Sequence, residues 1–103
     1  MHYIFSYDVT DDGLRTHIAH LLTRKGCIRL QYSVWFSPEW SPKRLQSLHT
    51  AFTQLLVKYA DDCSTTDSLV CVPIERNYLN NILWIGDDTK IQTALSKNKL
   101  VWI

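Results

Sequence analysis

Glycine occurs only three times in 103 residues, and nothing resembles a phosphate-binding glycine loop, so the nucleotide-cleaving folds built on one are excluded. Cysteine is scarce and odd in number. Cys27, Cys63 and Cys71 lack the close pair spacing of zinc sites and read as reduced, mostly buried thiols. No apolar run approaches the roughly 18 residues of a membrane span. The opening MHYIFSYD meets an aspartate early, with no basic segment ahead of an apolar one, so a cleaved signal is not expected and a cytoplasmic protein is. A formal charge of +1 excludes a bulk polycation. No repeat is present, and no defensible Ser-His-Asp order gives nucleophilic catalysis an anchor.

What is present is an ordinary globular balance, 46% apolar and 20% charged, at a length that supports one core, so residues 1–103 read as a single domain. The charge is lopsided. Residues 1–60 hold seven Lys or Arg against four acids, a net of +3, and residues 61–103 hold four against six, a net of −2. A basic face on the first half follows.

Tyr3 to Val9 mixes aromatic and β-branched residues and reads as a strand; Thr10 or Asp11 then caps a helix whose positive end Asp12 complements. Leu14, Ile18, Leu21 and Leu22 recur at helical spacing, and Gly26 suits the left-handed residue beyond the helix end. Residues 27–36 alternate, with Ile28, Leu30, Tyr32, Val34 and Phe36 on one face and Arg29, Gln31 and Ser33 on the other. Ten residues are long for one strand, so a turn near Gln31 to Ser33 is expected. Ser41 and Pro42 open a second helix with a stripe of Leu45, Leu48, Phe52, Leu55, Leu56 and Tyr59. Ser68 to Ile74 reads as a strand, Ile82 to Ile85 as a short strand, Lys90 to Asn98 as a polar connector, and Leu100 to Ile103 as a terminal strand.

This order predicts an α+β, ferredoxin-like βαββαβ sandwich with an additional carboxyl-terminal strand, residues from about 87 to 103 forming an extension that contacts a partner subunit. Four Trp and five Tyr are more aromatic surface than one small core readily hides, which predicts a homodimer with two-fold symmetry.

Two of the aspartates in YDVTDD have structural work to do, whereas Asp8 has none evident. One reading is a strand-ending Asp that bonds the amides of the next turn. The other is chemical: a two-fold axis near Asp8 doubles it, and two carboxylates with waters can hold one Mg²⁺ or Mn²⁺. Most basic residues simply solvate a small domain. Arg29, in a strand with an apolar opposite face, carries a fork that grips phosphate at two points, and Arg15, Arg24, Lys25, Lys43 and Arg44 can track a nucleic-acid backbone. His17 and His20 lie three apart with no evident third ligand, so they read as surface or half-buried histidines rather than a metal pair.

YDVTDDGLR (Tyr7 to Arg15), KG followed by RLQYSV (Lys25 to Val34) and VPIERN (Val72 to Asn77) together resemble the CRISPR-associated protein 2 family, with a likeness that runs over essentially the whole chain. The resemblance implies a ferredoxin-like homodimer, joined in part by its carboxyl-terminal strand, that works in CRISPR spacer acquisition and antiviral defence. It implies that the dimer sits between integrase dimers of CRISPR-associated protein 1 and binds incoming duplex DNA. Some members look like metal-dependent endonucleases on RNA or DNA, with Mg²⁺ at the aspartate matching Asp8, and others like non-catalytic scaffolds. Arg15 and Arg29 match basic positions tied to nucleic acid, and Lys25 and Arg44 join them as expected contacts. His17, Trp35 and the loop Ser37 to Trp40 depart from the family's usual pattern. A virulence-associated protein D type of toxin ribonuclease looks similar in fold, but TDDGLR and RLQYSV favour the CRISPR family.

Overall fold

The computed structural model describes residues 1–59, 61 and 67–97. The elements run β1 (His2–Asp8), α1 (Asp12–Arg24), β2 (Ile28–Gln31), β3 (Val34–Phe36), α2 (Pro42–Lys58), β4 (Ser68–Ile74), a 3₁₀ segment (Arg76–Asn81) and α3 (Thr89–Lys97). The sheet has the order β2-β3-β1-β4, with every neighbouring pair antiparallel. This is the ferredoxin-like α+β arrangement that the element order predicts. The expected terminal strand, Leu100 to Ile103, lies outside the described residues.

Alternation along β1 sorts the molecule into two cores. Tyr3, Phe5 and Tyr7 face one way and meet Leu14, Ile18, Leu21 and Leu22 of α1, Leu48 and Phe52 of α2, and Trp35 and Trp40. Each fully buried member of this cluster, such as Phe5 or Leu14, contributes about 1.5–3 kcal/mol. On the opposite face Leu30 and Phe36 meet Leu79, Ile91 and Ala94, so α3 and the 3₁₀ segment cover the β2–β3 side.

The helix ends follow from local chemistry. Asp11 caps α1 by accepting from the Leu14 amide at 2.7 Å. Its carboxyl end closes through Gly26, at φ 86°, with Gly26 N–H on the Thr23 carbonyl and Cys27 N–H on Leu22, both at 3.0 Å. That pair of bonds is a Schellman closure, which needs the left-handed residue glycine supplies. Ser41 caps α2 ahead of Pro42, as the sequence predicts.

The long alternating run is divided at Tyr32-Ser33, where the chain turns between β2 and β3. Tyr32 is therefore 70% exposed at the hairpin tip instead of sharing the apolar face. In α2 the stripe contracts to Leu45, Leu48, Phe52, Leu55 and Tyr59, while Leu56 is exposed because it falls one residue off the inward spacing.

Two further expectations are corrected. Residues 82–85 form no strand: Ile82 and Trp84 pack on the second core and Leu83 and Ile85 face out, so the alternation is real, but no strand pairs with it among the described residues. The expected polar connector from Lys90 is the helix α3. Asp87 accepts from the Thr89 amide at 3.0 Å and its hydroxyl at 2.6 Å, Gln92 N–H bonds the Asp88 carbonyl, and Ile91 and Ala94 bury one face. The Thr89 hydroxyl bond holds the Asp87 carboxyl below its ordinary value. Among the described residues, no helix is long and apolar enough to cross a membrane.

Candidate nucleic-acid interface

Asp8 is the last residue of β1, in register with Ser68 at the start of β4. It is exposed, and among the described residues its carboxylate has no hydrogen bond or ion pair. Its neighbours in the turn are all engaged. Asp11 caps α1, Asp12 pairs with Arg15, and Thr10 donates to Asp67 through its amide at 3.1 Å and its hydroxyl at 2.9 Å. The strand-ending role is thus filled by other carboxylates, and Asp8 is left free of it.

Strand alternation fixes which way Asp8 looks. It shares a face with Ile4 and Ser6, whose partners across the ladder are Val72 and Val70. Those valines are 46% and 55% exposed, because α3 covers only the far side of this face. Among the described residues, then, an unpartnered carboxylate stands at the end of a half-exposed apolar strip. Among the described residues no group of three or more His, Cys, Asp or Glu is placed to hold a metal ion.

The predicted cations lie on the other side of the sheet, with the helices. Arg29 is in register with Trp35, which belongs to the helix-side core, so Asp8 and Arg29 occupy opposite faces. The Arg29 guanidinium carbon lies 4.8 Å from the Trp35 ring centroid and 5.5 Å from that of Tyr32, and its buried Nε has no hydrogen-bond partner. Stacking of this kind fixes the plane of the fork at about 0.5–2 kcal/mol per ring. Arg15, one turn into α1, donates to the Val9 carbonyl at 3.0 Å and pairs with Asp12, so much of its charge is already answered. Its Nε is also buried without a partner.

Arg15 and Arg29 both line a cleft of about 500 Å³ between α1 and the β2–β3 hairpin, together with Tyr7, His20, Tyr32 and Trp35. Trp35 Nε1 donates to the Tyr7 hydroxyl at 3.2 Å. Lys25 and Arg44 form a second basic patch at the far end of α1, where Arg44 reaches the Lys25 carbonyl at 3.5 Å and lies 5.7 Å from the Trp40 ring centroid. Ten residues of helix separate Arg15 from Lys25, about 15 Å at 1.5 Å per residue. The structure thus brings the four predicted cations together as two patches along one helix and places Asp8 with neither.

His17 and His20 do not form a pair. His17 packs against Tyr59 with ring centroids 5.3 Å apart, and His20 faces the cleft. Trp40 is buried against Tyr3 and Phe5, which fixes the departing loop, and Trp40 N–H donates to the Met1 carbonyl at 2.9 Å. Sequence reasoning missed Tyr7 and Tyr32 as cleft residues. An aromatic at a hairpin tip, next to an Arg three residues earlier, is the signal that could have flagged Tyr32.

The fold has a counterpart among solved proteins. The crystal structure of Streptococcus pyogenes Cas2 at pH 6.5 superposes with a TM-score of 0.67 at 21% identity, covering 84% of this chain and 100% of that one. That degree of identity speaks to the fold. No curated protein matches the sequence. The model of the family described as CRISPR associated protein Cas2 matches residues 1–82, which takes in β1 through the 3₁₀ segment and all five residues singled out as sites. The chain therefore belongs to the CRISPR associated protein Cas2 family and has a CRISPR-associated role.

Proposed function

We propose that the protein is a homodimeric nucleic-acid-binding component of CRISPR spacer acquisition that holds duplex DNA on its helical layer and bridges subunits of the CRISPR-associated protein 1 integrase. One observation carries this reading: Arg15 and Arg29 at one end of α1, and Lys25 and Arg44 at the other, form two basic patches about 15 Å apart, a span of about four base pairs. A backbone-tracking role needs cations spaced along a groove-length surface and no base-reading side chains. The opposite face, with Val70 and Val72 half uncovered, suits a second copy of the chain. The test is duplex affinity against salt for wild type and for Lys25→Glu with Arg44→Glu. The charge reversal should weaken binding more than chelation of divalent metal does; loss on chelation with no effect of reversal would refute the reading.

A second reading, phosphodiester hydrolysis by the dimer on RNA or DNA, is favoured by the free, exposed carboxylate of Asp8 beside the strip that a second copy would cover. One carboxylate per chain is too few for Mg²⁺ or Mn²⁺, and two Asp8 side chains related by the two-fold axis, with waters, fit an octahedral oxygen site. When bound, the ion supplies a lowered pKa for a coordinated water and offsets charge on a phosphoryl oxygen. The chain's own contribution is to keep Asp8 unpaired, by assigning the capping and ion-pair work of the turn to Asp11 and Asp12.

A further inference from the structure

We infer that the cleft between α1 and the β2–β3 hairpin is a site for one nucleoside monophosphate unit, either free or as the 5′-phosphorylated unpaired end of a strand. The inference rests on the nucleic-acid reading above and narrows it to one subsite. Three features point to this ligand class. The cleft carries Arg15, Arg29 and one acid, Asp12, which is committed to Arg15, so its net charge favours an anion. Among the described residues Arg29 has no acceptor, its Nε is buried without a partner, and its plane is set by Trp35 and Tyr32. A monophosphate oxygen pair supplies what that fork lacks, because guanidinium binds phosphate at two points.

The walls suit a base and sugar. Tyr32, 70% exposed at the hairpin tip with the Arg29 guanidinium carbon 5.5 Å from its ring centroid, offers a base an aromatic surface beside the phosphate fork. Tyr7 accepts from Trp35 through its hydroxyl oxygen, which leaves its own O–H to donate into the cleft. A volume of about 500 Å³ falls at the low end of small-ligand sites and holds one nucleotide, not a duplex. Base stacking on an aromatic ring contributes about 1–3 kcal/mol without selecting a sequence, so the site discriminates by phosphate and not by base.

The experiment is a set of calorimetric titrations of the full-length protein with a 5′-phosphorylated DNA trinucleotide, the same trinucleotide with a 5′-hydroxyl, adenosine 5′-monophosphate, and a blunt duplex with 5′-hydroxyl ends. The phosphorylated trinucleotide should bind about tenfold or more tighter than its hydroxyl counterpart. Arg29→Lys, which keeps the charge and loses the fork, should erase most of that preference, and Tyr32→Ala, at an exposed turn position, should weaken both trinucleotides about tenfold. Adenosine monophosphate binding as tightly as the phosphorylated trinucleotide identifies the free nucleotide as the ligand, and weaker binding identifies the strand end. Equal affinity for the two trinucleotides, or Arg29→Lys and Tyr32→Ala indistinguishable from wild type, overturns the inference. Should the duplex still bind while the trinucleotides tie, only the subsite fails. Should the monophosphate bind while the duplex does not, the subsite stands for a free nucleotide and the duplex-holding reading fails.

Discussion

Replacing Val70 and Val72 together with Asp tests the self-association on which both functional readings depend. These side chains are 55% and 46% exposed on the face that carries Asp8, so about half of each remains for a second copy to cover. Full burial of a valine is worth about 1.5–3 kcal/mol, which makes the uncovered half worth about 1 kcal/mol. A two-fold axis brings four such residues together, about 4 kcal/mol in all, or roughly a thousandfold in the dimer Kd. The double Asp variant loses at least that much, because its new carboxylates face one another and the two Asp8 groups. Sedimentation equilibrium over a wide protein concentration range reads the change directly. Val70→Thr with Val72→Thr keeps the β-branched shape and should show a smaller weakening in the same direction. Since both positions are exposed, circular dichroism should report a folded chain in each variant. Double-Asp protein that associates like wild type would refute the assignment of this face.

Gly26→Ala should cost about 1–2 kcal/mol in urea unfolding, because the residue sits at φ 86° and an added Cβ meets only Pro38 Cγ at 3.7 Å, so the cost is backbone strain alone; an unchanged midpoint would contradict the helix closure described. Burial pushes the Cys27 thiol from 9.0 to about 12, so its contribution to stability is full below pH 9 and is lost as pH rises toward 12; the thermal midpoint should fall across that window, and native-state maleimide labelling should reach half-buried Cys71 before Cys27. Asp8→Asn should leave folding and dimerisation intact while abolishing any Mg²⁺-dependent cleavage of RNA or DNA; equal cleavage by mutant and wild type would remove Asp8 from the chemistry.

Much of the fold was legible because local signals and burial agree. Asp11, Gly26 and Ser41 with Pro42 each sit where capping chemistry requires, and the apolar spacing of α1 carries through to its buried residues. Alternation over residues 27–36 located a hairpin, but not that Tyr32 would leave the apolar face, since a two-residue turn shifts the side chain outward. The helix α3 is hard to read from sequence because its composition is largely polar, with Ile91 and Ala94 marking its inner face among the described side chains, and because its cap lies in an Asp-Asp-Thr run that also reads as a loop. The site residues were found one at a time, as residue types. That Asp8 and Arg29 fall on opposite faces depends on β3 lying between β1 and β2, a pairing that sequence spacing does not specify. In the sequence Asp12 reads as a complement to the helix dipole, whereas its pairing with Arg15, which lowers the free charge available to phosphate, depends on the folded geometry.

The most direct test of duplex holding is the dependence of affinity on salt. Arg29, Lys25 and Arg44 have no carboxylate partner among the described residues, while Arg15 is paired with Asp12. Three phosphate contacts per chain give a slope of log affinity on log salt of about −2.7, and about −5.4 if both copies of a dimer engage the same duplex. A measured slope of about −2.7 or steeper, flattened by Lys25→Glu with Arg44→Glu, is the predicted result. A slope flatter than about −1, or one that the reversal leaves unchanged, would contradict the account.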